Sequence, residues 1–150
     1  MKRIFLFAVL FWIFGGCSMR TIPTYSDVTY HQIKISDSKT KRLVERFVEY
    51  WHARTQGDMK KAWKFELPYQ KFLSSFKKYK AEVGGYKGAK IELVGIRYEV
   101  PNIAIVTRKV RIGKNVMLKK DKWLYIKDTW YHKYYQTIFP PETMEEAEFQ

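Results

Sequence analysis

The 150-residue chain has a single cysteine, Cys17, which excludes an intrachain disulfide and a Cys-rich zinc cluster. Acidic residues are few: 15 Asp and Glu stand against 28 Lys and Arg, a formal charge of +13. The three histidines, His31, His52 and His132, lie too far apart in sequence to suggest a metal site, and none is expected. No Gly-rich phosphate loop follows a strand pattern, since Gly84-Gly85 follows a helical one. No serine occupies a nucleophile elbow, and nothing calls for a cofactor. The apolar run from Ile4 to Phe14 has 11 residues, about half of the ~20 that a bilayer span requires. Repeats and low-complexity blocks are absent. Against these absences, apolar residues make up 46% and aromatics 17% of the chain, enough for the core of one ordinary domain.

The leader carries the information on address. Lys2 and Arg3 precede the apolar run, and Gly15-Gly16 supply small residues at a cleavage point, the three parts of a secretory signal. Phe14-Gly15-Gly16-Cys17 resembles a bacterial lipoprotein lipobox, with Phe14 where that motif usually has Leu. The resemblance implies that Cys17 is diacylated and becomes the mature N-terminus. Each buried CH₂ contributes roughly 0.8 kcal/mol, so two acyl chains hold a protein stably on a bilayer. Ser18 resembles the default outer-membrane sorting class. Cleavage after residue 16 would leave 134 of the 150 residues and, without Lys2 and Arg3, a charge of +11. The expected location is therefore the cell envelope, on the outer membrane facing the periplasm in a Gram-negative cell. There a basic surface meets anionic head groups or acidic polymers and not nucleic acid.

Beyond the leader the chain divides into a lipidated N-terminus and tether with a first strand (17–35), a folded domain (36–139) and an acidic tail (140–150). Val28 to Ile35 is β-branched and aromatic, which predicts a strand. Ser36-Asp37-Ser38 offers capping oxygens ahead of Leu43, Val44, Phe47, Val48 and Trp51, an apolar face at helical spacing. Gly57 ends that helix and Asp58 caps a shorter one carrying Ala62, Trp63 and Phe65. Pro68 opens a third, with Tyr69, Phe72, Leu73, Phe76 and Tyr79 on one face. From Lys90 the period becomes two. The apolar parity slips at Gly95, which predicts a β-bulge. Pro101-Asn102, Gly113-Lys114-Asn115 and Lys127-Asp128-Thr129 mark turns between successive strands, and Trp130 to Gln136 forms the last. Three helices followed by such strands make an α+β fold, with the helices packed on a curved antiparallel meander.

This order, with the Gly57-Asp58 corner, the Pro68-led helix and the closing Asp121–His132 hairpin with its two tryptophans, is similar to the nuclear-transport-factor-2-like family, also called SnoaL-like or cystatin-like cone. The resemblance implies a cone-shaped domain, and enzymes of the family place a carboxylate, or Tyr, His and Asp together, inside the cone. Asp58 is better read as a helix cap. His132 shares its strand face with Trp130 and Tyr134, so it is the weak candidate for a general base and more plainly a buried neutral histidine. Tyr50, Trp51, Trp63, Tyr69, Phe72, Phe76, Trp130 and His132 are the candidates to line an apolar pocket, although aromatics at helical spacing are core residues first. Arg108, Lys109 and Arg111 with Lys119, Lys120 and Lys122 are expected to meet across a hairpin as a basic sheet surface. The function these features suggest is a lipid-anchored, non-catalytic binding or assembly domain. Its expected partners are the membrane, a small apolar ligand, and a second copy or envelope protein. The alternatives are a small-molecule isomerase, dehydratase or hydrolase of the same fold, or a part of an envelope secretion or assembly complex.

Overall fold

Asp37 starts the first helix. In the computed structural model, which describes residues 21–31 and 33–134, its carboxylate accepts the Thr40 N–H at 2.8 Å and sets off α1 (Ser38–Gln56). The Leu43, Val44, Phe47, Val48 and Trp51 face is fully buried, so α1 is the helix around which the core forms. Gly57, at φ +77°, stops it in the left-handed conformation that glycine adopts without steric cost. Asp58 then accepts the Lys61 N–H at 2.9 Å and caps α2 (Met59–Trp63), as its position after Gly57 suggested.

The expected third helix is two. Pro68 opens α3 (Pro68–Leu73), but Ser74 is extended, and Ser75 accepts the Lys78 N–H at 3.2 Å to begin α4 (Phe76–Glu82). A serine that can cap a new turn competes with continuation of the old one. The break splits the apolar stripe: Tyr79 is buried, whereas Tyr69, Phe72 and Leu73 face outward.

The sheet has five strands in the order β1-β2-β3-β4-β5: β1 (Val28–Thr29), β2 (Lys90–Val100), β3 (Ile103–Ile112), β4 (Asn115–Ile126) and β5 (Thr129–Lys133). Strands β2 to β5 are the expected antiparallel meander. The sheet as a whole is mixed, because β1 pairs parallel to β2 through Val28–Ile91 and Thr29–Glu92. β1 is also far shorter than the predicted Val28–Ile35, since Ile33 N–H bonds back to the Tyr30 carbonyl and turns the chain away. The register of β2 on β3 shifts between Leu93 and Gly95, where the change of parity placed a bulge, and again between Tyr98 and Val100. Bulges bend a strand, and this sheet curls into a half-barrel with the helices packed against it. α1 contacts both edge strands, β1 and β5. Ile91, Leu93, Ala104, Val106, Val110, Trp123 and Trp130 complete the core around it.

Candidate functional site

Alternation along β5 turns Trp130, His132 and Tyr134 inward together, and all three are buried. Along β4 the same rule turns Asp121 inward with Trp123, and along β3 it turns Arg108 inward with Val106 and Val110. Three ionisable side chains are thus brought to the core by strand periodicity alone. The fourth comes from the segment between α2 and α3. There Phe65–Leu67 runs along β5, with His132 N–H bonded to the Phe65 carbonyl at 2.9 Å and Leu67 N–H to the His132 carbonyl at 3.0 Å. This one-rung addition covers the outer edge of β5 and sends the Glu66 side chain inside.

Glu66 Oε2 lies 2.8 Å from His132 Nδ1, and its Oε1 accepts hydrogen bonds from Tyr50 and Tyr79, each at 2.9 Å. His132 Nε2 faces Asp121 Oδ1 at 3.9 Å. Asp121 in turn accepts two hydrogen bonds from Arg108 Nε, at 2.9 and 3.0 Å, and one from the Trp51 indole at 2.9 Å. Arg54 donates to the Tyr50 hydroxyl at 2.7 Å and to the Val83 carbonyl, tying α4 to the same network. The Arg108 guanidinium also stacks over Trp51, 3.9 Å from the ring centre.

Burial alone would lower the His132 pKa. The charge of Glu66 and the polar contacts with Asp121 and Glu66 overcome it and raise the imidazole to about 9. Burial acts on Asp121 in the opposite sense. There the Arg108 charge, with support from His132, brings the carboxyl down to about 2. His132 is therefore an imidazolium at neutral pH and not the neutral histidine expected from its strand position. Tyr50 and Tyr79 are held protonated, pushed up first by burial.

The set could move a proton, but among the described residues it is closed off from solvent. The His132 side chain is 6% exposed and that of Glu66 0%, with Tyr50 stacked on the imidazole at 4.4 Å and Trp51 and Trp123 against its edges. Of the pocket candidates, Tyr50, Trp51, Trp130 and His132 fill the interior, and Trp63 and Phe76 pack half-buried beside Tyr79. Tyr69 and Phe72 stand on the surface, 69% and 87% exposed. Cys17, the leader and the acidic tail lie outside the described residues. Arg108 leaves the expected basic sheet surface for the core. Lys109 and Lys122 are paired with Glu92 at 2.9 Å and Glu99 at 3.5 Å.

The chain matches no known protein family, curated protein or solved structure. Its site is thus defined by geometry alone. Among the described residues no group of His, Cys, Asp and Glu is arranged to hold a metal ion, and no helix is long and apolar enough to cross a membrane. An open concavity lies elsewhere among the described residues, a cleft of about 510 Å³ between the start of β1 and the β2–β3 ladder. Asp27, Glu92, Lys90, Lys109 and Arg111 line it with mixed charge. Asp27 is itself engaged, accepting from Thr55 and from Gln56 at 3.1 Å and pairing with His52 at 2.9 Å, while Tyr25 stacks on His52 at 3.7 Å.

Sequence reasoning found His132 and its direction. It missed Glu66, Asp121, Arg108 and Arg54. For Arg108 a signal existed, a charged residue at an inward parity position. For Asp121 the parity shared with Trp123 was equally available.

Proposed function

We propose that this is a lipid-anchored cell-envelope protein whose folded part is a cone-like domain for binding or assembly. The observation that carries the reading is the leader: a basic start, an apolar run of 11 residues, then Gly-Gly ahead of the sole cysteine. An unpaired thiol in an oxidising envelope is a liability unless it is consumed, and acylation consumes it. The curled sheet with α1 in its hollow is compatible with the cone architecture of the nuclear-transport-factor-2-like proteins that the sequence resembles.

The sealed His132 cluster weighs against the enzymatic alternative, since a general base has to come within hydrogen-bond reach of a substrate proton. The same packing leaves little space for an apolar ligand inside. A binding role therefore rests on outer surfaces, and the contact is with the bilayer, a second copy or an envelope partner. Metabolic labelling with a palmitate analogue and intact mass of the membrane-extracted protein test the anchor. Label on the wild type, none on Cys17→Ser, and loss of residues 1–16 are expected. Retention of Met1 with an unmodified thiol would refute the reading. Loss of activity in the cell for Cys17→Ser at an unchanged protein level would show that the anchor is required.

A further inference from the structure

The hairpin joining β3 to β4 has a composition unlike that of the other turns. From Lys109 to Lys120 it carries five basic residues, Lys109, Arg111, Lys114, Lys119 and Lys120, and no Asp or Glu of its own, Lys109 being paired with Glu92 of β2. At its tip four apolar side chains, Ile112, Val116, Met117 and Leu118, are exposed, Leu118 by 65%. Pairing sets them among the cations: Val116 lies opposite Arg111 and Leu118 opposite Lys109. Apolar side chains ringed by long basic ones suit the boundary between head groups and acyl chains, where the ammonium and guanidinium groups remain at the polar level.

Topology places this tip where the N-terminal chain arrives. Val28, Ile91, Val110 and Met117 form one rung across β1 to β4, so Val28 lies about three strand spacings, ~14 Å, from Met117. Because β1 is parallel to β2, the residues before Val28 come from the Lys90–Arg111 end of the sheet, the end that carries the tip. Ile22 is already packed on the core, and Tyr25 and Asp27 are fastened to His52. The five residues from Cys17 to Ile22 reach at most about 18 Å. An acyl group on Cys17 would therefore hold the domain close to the bilayer, with the end at which the chain enters β1 within reach of it.

We infer that the β3–β4 hairpin tip is a second membrane contact, inserting Val116 and Leu118, which share the outward face, into an anionic phospholipid surface while Arg111 and Lys114 engage the head groups. The orientation rests on the anchoring reading; the charge and exposure of the tip do not. Charge complementarity selects the occupant, since a second copy docked hairpin to hairpin would bring Arg111 and Lys114 against the same cations.

The test uses protein extracted from its native membrane and placed in vesicles of phosphatidylcholine, alone or with phosphatidylglycerol. An environment-sensitive fluorophore is attached at Leu118→Cys or, as a control beside β5, at Tyr69→Cys. The Leu118 label is expected to shift to the blue and brighten about twofold on anionic vesicles only, the response fading at high salt and in Arg111→Glu/Lys114→Glu. The Tyr69 label is expected not to respond. Equal responses at the two positions, no response at Leu118, or a response needing no anionic lipid would overturn the proposal. So would a response that grows with protein concentration without vesicles, which would mark a second copy as the occupant. Intact mass of the same material reports on Cys17 separately. If the sulfur is bare, the labels are attached in a Cys17→Ser background and titrated with added vesicles, and the same outcomes decide the tip contact after the anchor has failed.

Discussion

His132 and Glu66 are a buried, hydrogen-bonded pair, and their removal is correspondingly costly. His132→Gln leaves Glu66 and Asp121 without the cation between them and is expected to destabilise the fold by about 3–5 kcal/mol in denaturant titrations. The pH dependence has a definite sign. The folded-state value of about 9 exceeds the ordinary 6.5, so the contribution of His132 is fully present below pH 6.5 and is lost as pH rises to about 9. Wild-type stability should fall by roughly 3 kcal/mol across that window, and the fall should be absent in His132→Gln. Asp121, held at about 2 against an ordinary 3.8, adds the mirror-image loss as pH drops through that lower range. Little of this was legible beforehand. Strand parity gave the direction of His132, but its charge depends on Glu66, 66 positions away and delivered by an irregular segment with no periodicity to read.

Element boundaries were more legible, because caps and turns are local chemistry. Asp37, Gly57 and Asp58 act where their side chains or φ angles allow, and the slip at Gly95 is visible as a change of parity. The third helix was misread because apolar spacing over 69–79 continues across Ser74-Ser75, whereas the backbone follows the serine cap. The length of β1 was misread because a β-rich composition does not reveal a turn at Tyr30–Ile33. One turn has room for improvement. Lys127 and Asp128 close the β4–β5 hairpin at φ +47° and +60°, a conformation that suits Asn-Gly far better. Lys127→Asn/Asp128→Gly is expected to raise stability by about 1 kcal/mol, less what is lost with the Tyr125–Asp128 hydrogen bond of 3.1 Å. A thermal melt against wild type checks the sign.

Across the whole molecule, the interior and the surface answer to different demands. The core is closed around α1, so substitutions that alter function without harming the fold are expected on the outside. Phe72, the most exposed large apolar side chain among the described residues, makes the sharpest case. Phe72→Ser is expected to leave the unfolding free energy within the about ±0.5 kcal/mol typical of surface changes. A larger loss would mean that α3 is packed against something in solution. The fold class was legible at this scale from the switch of period near residue 90, and the curl from the bulge. Placement of the basic hairpin beside the N-terminal entry was not, because it depends on a two-residue parallel pairing between positions 28 and 91.

That pairing also determines how the domain bears a load. The chain bends at Ser26 and Asp27 just before it enters β1, so a pull from the N-terminal side does not act first on the β1–β2 hydrogen bonds. Before it reaches them, the tension is taken up by Tyr25 on His52 and by Asp27 on Thr55, both on the last turns of α1. A body tethered by its leading end would thus transmit drag into its longest helix and leave the β3–β4–β5 ladder slack.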